Sequence, residues 1–247
     1  PEEINRILAD QLSTILFCPT DTSVENLKNE GFPHKLTTDN RQLITNVGDV
    51  MYDSAIFYAA KSEQKSRIMQ GLGLETRNFV LATIHRAENT DDPARLGGIM
   101  AALNHIARDI TVILPLHPRT RKKLGMSDNA TAGKPCIDSG VPCIIDPLGY
   151  LDMVMLEKNA RVIITDSGGV QKEAYFHGVP CVTARQETEW VELVKAGANC
   201  LARTSKATIC EAFQKMQHKV IEPKRLYGDG DSSTKIVSTF RQALKSY

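Results

Sequence analysis

Residues 164–174, ITDSGGVQKEA, place a serine, two glycines and a glutamate where an apolar segment meets a helical pattern. The first turn of a helix has free backbone N–H groups and the positive end of the helix dipole, and both favour an anion. Gly168 and Gly169 would let a phosphate approach the backbone, and Ser167 offers a hydroxyl. Glu173, about a turn and a half further on, could accept two hydrogen bonds from a ribose diol. The spacing fits equally well an ordinary helix start, with Ser167 as the N-cap and Glu173 as a surface charge.

A second group of polar residues lies in TIHRAEN, residues 83–89, which also follows an apolar segment. Here His85 could act as a general acid or base or bind a phosphate, beside Arg86 and Glu88. The next segment, NTDDPARL, is explained by a helix start with Pro93 in its first turn. That helix start does not account for the histidine, the arginine or the glutamate.

Both groups lie at the ends of near-continuous apolar segments that alternate with helical patterns. This alternation indicates a parallel sheet covered by helices on both faces, a doubly wound α/β domain, preceded by a helix that runs to about residue 70. Ligands of such sheets bind beyond the carboxyl ends of the strands. The strands are predicted at 78–85, 110–117, 143–149, 161–165 and 180–184. The polar residues predicted at this edge are His85, Arg86, Glu88, His117, Asp146, Asp166, Ser167, Gly168, Gly169, Arg185, Glu187, Thr188 and Glu189.

Charge and composition limit the classes of partner. The 247 residues carry 30 basic and 29 acidic side chains, a net charge of +1, which argues against nucleic acid or an anionic membrane as a partner. No apolar run approaches the ~18 residues of a membrane span. The six cysteines lack metal-ligand spacing, and we expect them to be buried thiols in a reducing compartment.

Four segments occur in an order that resembles the non-hydrolysing UDP-N-acetylglucosamine 2-epimerases: TIHRAEN, DPLGYLDMVML, ITDSGGVQKEAYFHGVPCVTARQETEWVEL and YGDG. The resemblance runs from PEEINR to YGDGDSSTKI, nearly the whole chain. It implies the GT-B architecture, two Rossmann-like domains with the active site in the cleft between them. It also implies conversion of UDP-GlcNAc to UDP-ManNAc, by anti elimination of UDP and its re-addition, with no metal or nicotinamide cofactor.

The same resemblance implies roles for individual residues. Ser167, Gly168 and Gly169 would hold the diphosphate, Glu173 would bind the ribose hydroxyls, and His85 would contact the phosphate and assist the departure and return of UDP. In the PEEINR segment, Glu2 is the acid/base candidate near the sugar. The other substrate-binding candidates are Arg6, Arg86, Glu88, Thr188 and Glu189.

The resemblance further implies a division of the chain. Residues 1–45 correspond to the tail end of a truncated first Rossmann-like domain, 46–228 to the C-terminal UDP-binding Rossmann-like domain, and 229–247 to a helix that packs back on the first domain. Because the family's N-terminal half with its glycine-rich loop is missing, we expect this chain alone to be inactive. Family members are cytoplasmic enzymes of cell-surface polysaccharide synthesis, and we expect a homodimer at full length.

Three alternatives stay open at this point. The ETEWVEL segment, residues 187–193, looks more like relatives that act on UDP-2,3-diacetamido-glucuronate, so that sugar is a second candidate substrate. A GT-B glycosyltransferase would share the fold and the UDP site, and a fragment that only binds UDP would share the site alone. Ala87 replaces the second arginine of the HRRE segment found in many bacterial members, so we do not expect their allosteric regulation.

Overall fold

The computed structural model describes residues 2–34, 42–125, 139–222 and 225–244, with the side chain of Glu2 outside the description. The chain divides into two compact units. The first comprises Pro1–Ile56 together with Lys224–Tyr247, and the second comprises Phe57–Pro223. Among the described helices, none has both the length and the apolar character that a membrane span needs.

The described ranges contain eight strands. They are β1 (Ile15–Cys18), β2 (Leu43–Asn46), β3 (Phe79–Thr83), β4 (Thr111–Pro115), β5 (Cys143–Ile145), β6 (Val162–Thr165), β7 (Cys181–Thr183) and β8 (Asn199–Leu201).

The described ranges also contain twelve α-helices and a single 3₁₀ turn, Arg225–Tyr227. The helices are α1 (Glu2–Leu12), α2 (Asp21–Asn29), α3 (Val50–Lys65), α4 (Ile68–Leu72), α5 (Ala87–Thr90), α6 (Pro93–Ile106), α7 (Pro118–Lys123), α8 (Tyr150–Asn159), α9 (Gly168–Phe176), α10 (Val191–Lys195), α11 (Lys206–Met216) and α12 (Ser232–Ala243).

The second unit is built on a six-stranded parallel sheet with the strand order β5-β4-β3-β6-β7-β8. The chain moves outward from β3 to β5, returns to pair β6 with β3, and then moves outward in the opposite direction. This order confirms the predicted doubly wound α/β fold. The reversal falls between β3 and β6, and in sheets of this kind a crevice for ligands opens at the reversal, beyond the carboxyl ends of those strands.

The strands read as continuous apolar runs because both faces of the sheet are covered. Along β3, Val80 and Ala82 pack in one core cluster with α6 and α11, while Phe79 and Leu81 pack in a second with residues of α8 and α9. Every residue of β3 is buried. Such double coverage is the property of parallel sheets from which the fold class was predicted.

Helix α6 approaches the segment before α11 closely at one glycine. A methyl group built on Gly98 would lie 2.3 Å from the carbonyl oxygen of Thr204, whereas the same group on Gly97 would meet nothing within 4 Å. Only a residue without a side chain fits at position 98, because real Cβ atoms do not approach a carbonyl oxygen so closely.

The first unit contains a two-stranded parallel sheet of β1 and β2, with α2 capped by the Thr20 hydroxyl. Helix α12 belongs to this unit, where Phe240 packs edge-to-face on Phe17 at a ring-centroid distance of 5.2 Å. At the start of α12, the backbone N–H groups of Ser232 and Ser233 donate to the Asp53 carboxylate. The predicted domain limits at 45/46 and 228/229 stay a prediction.

Two expectations differ from the structure. The helix predicted to reach residue 70 ends at Lys65, because the Ser66 hydroxyl donates to Asp152 and accepts the N–H of Ile68, which starts α4. Cys143 is disulfide-bonded, so the expectation of six free thiols is wrong. The free thiols among the described residues are Cys18, Cys181, Cys200 and Cys210.

Candidate functional site

A buried carboxylate joins the two segments at the reversal of the sheet. Asp166, which directly follows β6, is completely buried. Its oxygens accept the backbone N–H groups of His85 and Arg86 at 3.1 Å each and the Asn89 side-chain amide at 3.0 Å. The His85 imidazole Nδ1 lies 3.4 Å from the same carboxylate. Asp166 therefore fixes the turn that follows β3 to the end of β6, 81 residues further along the chain.

A second set of charged residues surrounds Arg185, which follows β7 and is only 8% exposed. Its guanidinium donates to both carboxylate oxygens of Glu189, at 2.9 and 3.1 Å, and lies 3.3 Å from Glu88. Arg86 reaches the same Glu189 at 3.7 Å. The Arg185 hydrogen bond is the main reason why the pKa of Glu189 is lowered. Of the predicted site residues, the structure thus brings Arg86, Glu88 and Glu189 together.

The N-terminus of α9 faces this charged set. Ser167 is the N-cap, and its hydroxyl accepts the Val170 N–H at 3.5 Å, a long contact. A methyl group built on Gly168 would lie 3.4 Å from the Trp190 indole nitrogen, 3.7 Å from Glu189 Oε2 and 3.8 Å from Arg86 Nη2. The N–H groups of the first turn and the Arg86 guanidinium, which favour an anion, therefore converge beside the Glu189 carboxylate, whose charge is offset by Arg86 and Arg185. The cap interpretation of Ser167 is correct, and it is compatible with an anion site.

Glu173 lies on α9, partly buried, and accepts a hydrogen bond of 3.3 Å from the Tyr150 hydroxyl. Burial raises the pKa of the Glu173 carboxyl, and the Tyr150 hydrogen bond opposes this rise. Burial and the nearby Glu173 charge raise the pKa of Tyr150 to about 12. The carboxylate at this position is thus short of hydrogen-bond donors, which a diol could supply.

Thr188 has a local structural role. Its hydroxyl donates to Gln171 Oε1 at 2.7 Å and accepts the backbone N–H of Trp190 at 3.1 Å. Through these bonds the residue ties the segment after β7 to α9. Its place among the substrate-binding residues stays a prediction.

Two of the predicted site residues, Glu2 and Arg6, belong to the first unit. Glu2 is the first residue of α1, and its side chain lies outside the description. Arg6, one turn further along, pairs with Glu3, Asp10 and Glu30 at 2.7–3.2 Å. Glu3 and Glu30 raise the pKa of a guanidinium that is fully charged in any case, and all three pairs give Arg6 a structural role within its unit.

Sequence reasoning did not assign four of the residues that build this site. Asp166 and Arg185 were placed at the edge of the sheet without a role, and Asn89 and Tyr150 were not singled out. The signal for Asp166 was its position directly after an apolar strand and before Ser-Gly-Gly. The position of Tyr150 opposite Glu173 depends on how α8 and α9 pack, which the spacing does not show.

The fold defines an α/β protein of the doubly wound class, with its candidate site at the reversal of the parallel sheet. The family model described as UDP-N-acetylglucosamine 2-epimerase matches residues 1–241. The chain therefore belongs to the UDP-N-acetylglucosamine 2-epimerase family, as its motifs indicated.

Individual relatives agree with this membership. A UDP-2,3-diacetamido-2,3-dideoxy-D-glucuronate 2-epimerase from Pseudomonas aeruginosa is 48% identical over 242 residues, covering 96% of this chain and 62% of the relative. A crystal structure of the Methanocaldococcus jannaschii UDP-GlcNAc 2-epimerase in complex with UDP-GlcNAc and UDP superposes with a TM-score of 0.80. Its identity is 36%, over 98% of this chain and 65% of that one. The chain thus spans less than two thirds of the length of these relatives.

Another structural relative was solved with a bound nucleotide sugar. The UDP-GlcNAc 2-epimerase of Neisseria meningitidis, solved bound to UDP-GlcNAc, matches with a TM-score of 0.80 and 28% identity, over 98% of this chain and 65% of that chain.

Proposed function

We propose that this chain supplies the UDP-binding part of a non-hydrolysing nucleotide-sugar 2-epimerase. The observation that carries the proposal is the convergence of Arg86 with the N-terminus of α9 at the reversal of the sheet, with Glu173 on the same helix. Two structural relatives solved with UDP-GlcNAc support it, because each matches nearly the whole of this chain.

The residues at the sheet edge take the following parts in the proposal. The first-turn N–H groups at Gly168 and Gly169 and the Ser167 hydroxyl bind the diphosphate, whose charge is offset by Arg86. Glu173 accepts hydrogen bonds from the ribose hydroxyls. These hydroxyls replace the water molecules that partial burial of the carboxylate excludes.

His85 assists the departure and return of UDP. Because its Nδ1 is held near the Asp166 carboxylate, Nε2 is the nitrogen that can reach a phosphate oxygen. The orientation comes from a side chain that is itself fixed by three hydrogen-bond donors. An imidazole placed in this way can stabilise the negative charge that appears on the leaving diphosphate.

The proposed reaction is redox-neutral and uses no metal or nicotinamide cofactor. Loss of the C2 proton and cleavage of the C1–O bond release UDP and form 2-acetamidoglucal, a glycal with a C1=C2 double bond. UDP then adds back at C1 and a proton at C2, with the configuration of C2 inverted. The carboxylate of Glu2 is the proposed acid/base. The test is epimerisation in D₂O by the full polypeptide whose reading frame contains this sequence. The product should carry one deuterium at C2, and a product without deuterium rules out this mechanism.

The sugar is proposed from the relatives and the ETEWVEL segment. UDP-GlcNAc is the first candidate substrate, and UDP-2,3-diacetamido-glucuronate is the second, since a relative that is 48% identical carries that name. Assaying the same polypeptide with both nucleotide sugars decides between them, by comparison of kcat/KM.

We also propose that the enzyme is a cytoplasmic homodimer that supplies UDP-ManNAc or its analogue to cell-surface polysaccharide synthesis, and light scattering tests the dimer.

The UDP site is tested on the 247-residue chain by calorimetric titration with UDP. Replacing the carboxylate in Glu173→Gln removes charge-assisted hydrogen bonds worth about 1.5–3 kcal/mol, so UDP should bind roughly 10- to 100-fold more weakly. Glu211→Gln, an exposed glutamate on α11, is the matched control and should bind UDP like the wild type. Equal affinity of wild type and Glu173→Gln would refute the role of Glu173. A folded chain that does not bind UDP would refute the site.

A further inference from the structure

A second cavity lies at the opposite edge of the six-stranded sheet, where the strands begin. It has a volume of about 410 Å³, and four basic side chains line it: Arg77, Arg161, His218 and Lys219. The remaining lining residues, Gly178, Gln217 and Val220, are uncharged. We call this group of four the basal basic cluster. Cavities of this size accommodate small molecules.

The two arginines of the basal basic cluster are held in place by backbone carbonyl groups. Arg77 donates to the carbonyl oxygens of Ala160 at 2.9 Å and Gly178 at 3.4 Å. Arg161 donates through Nε to the Arg77 carbonyl oxygen at 2.8 Å. Each guanidinium has five N–H donors, so most of them remain for a ligand.

No carboxylate among the described residues forms an ion pair with these arginines or with Lys219, whose amino group donates to the Gly197 carbonyl oxygen at 3.0 Å. Burial lowers the pKa of Arg77, and no neighbouring carboxylate offsets this effect. Uncharged donor side chains would satisfy the same backbone carbonyl oxygens, so these hydrogen bonds do not by themselves require arginine or lysine. Permanent cations gathered without counter-charge favour an anion in the cavity, and paired guanidinium groups match the oxygens of phosphate.

Arg77 has an uncommon backbone conformation. Its φ is +60°, a left-handed conformation that residues other than glycine rarely adopt. The conformation brings the Arg77 carbonyl oxygen to Arg161 and sends the backbone N–H to the Asn159 carbonyl oxygen at 2.7 Å. A glycine would take this conformation without strain, so a glycine variant removes the guanidinium and can keep the same backbone path.

We infer that the basal basic cluster is a binding site for a small multivalent phosphate anion, separate from the UDP site. Arg161 precedes β6 and Asp166 follows it, so the two sites lie at opposite ends of one strand, about 16 Å apart at ~3.3 Å per residue. Pyrophosphate, which can contact both arginines at once, should bind more tightly than orthophosphate.

The test is calorimetric titration of the 247-residue chain with pyrophosphate in the presence of saturating UDP, which occupies the first site. Arg77→Gly suits the left-handed backbone while removing the cation, and Arg161→Gln removes the second cation. We expect each to weaken pyrophosphate binding at least about ten-fold, and circular dichroism checks that both variants are folded.

The matched control is Arg203→Gly, the same substitution at the other described arginine with positive φ, +53°, outside the cluster. It should leave pyrophosphate binding unchanged. Absence of binding to the wild type, or equal weakening by Arg203→Gly and Arg77→Gly, would overturn the inference. Because these variants do not touch the UDP site, failure here is distinguishable from failure of UDP binding.

Discussion

The buried carboxylate at the reversal of the sheet should dominate the stability of the site, and Asp166→Asn tests this with a change of almost no volume. Asp166 accepts hydrogen bonds from His85, Arg86 and Asn89 and has no exposed surface. An asparagine has only one oxygen, and its amide nitrogen would face a group that is itself a donor.

The expected cost follows from those contacts. Loss of at least one charge-assisted hydrogen bond costs about 1.5–3 kcal/mol, and a buried donor left without an acceptor costs about 1–3 kcal/mol more. The variant should therefore lose about 2.5–6 kcal/mol of unfolding free energy. For a chain of this size that corresponds to a fall in melting temperature of roughly 5–24 °C.

Thermal and guanidinium unfolding followed by circular dichroism measure the effect. The control is Asp92→Asn, in which the N-cap of α6, accepting from Ala94 and Arg95, is replaced by a residue that caps equally well. It should change the stability by less than about 0.5 kcal/mol. If the two variants unfold alike, Asp166 does not hold the turn after β3 and the end of β6 together.

Two further predictions concern stability. Burial and a neighbouring carboxylate raise the pKa of the Glu157 carboxyl well above its usual 4.5, so the folded protein keeps a proton that the unfolded chain has released. The wild type should accordingly lose stability as pH rises above 4.5 through the raised pKa, whereas Glu157→Gln should lose less, because only the raised pKa of Glu173 then remains; urea unfolding as a function of pH measures this, with the exposed Glu25→Gln retaining the wild-type slope. Gly98→Ala should cost about 1–3 kcal/mol because its methyl group meets Thr204, while Gly97→Ala, in open space on the same helix, should gain about 0.5–1 kcal/mol, and equal effects in urea unfolding would contradict the close approach.

The fold class was predictable because the central strands are buried on both faces. The continuous apolar runs around Phe79–Thr83 and Val162–Thr165 carry that signal directly. Strand β8, Asn199–Leu201, was not predicted because it begins with a buried polar side chain and ends with an exposed leucine, so it lacks an apolar run. That asparagine is satisfied by Thr183 and Gln171, partners that become visible only when the sheet is assembled.

The candidate site was predictable in its parts and not in its assembly. Each polar residue at the edge follows a strand, and the end of a strand can be read from the sequence. Which strand ends become neighbours depends on the strand order, and β3 pairs with β6 rather than with its successor alone. The contact of Tyr150 with Glu173 depends in addition on helix packing, for which neither residue's spacing gives a signal.

The role of Asp166 explains why two motifs so far apart can act as one site. A carboxylate buried without a cation needs several donors, and the backbone N–H groups of His85 and Arg86 provide two of them. The hydrogen bonds that make burial of the charge tolerable are the same ones that place the turn after β3 beside the first turn of α9. Since these contacts form within the protein, the geometry of the proposed anion site exists before a ligand arrives, and little binding energy would be lost in assembling it.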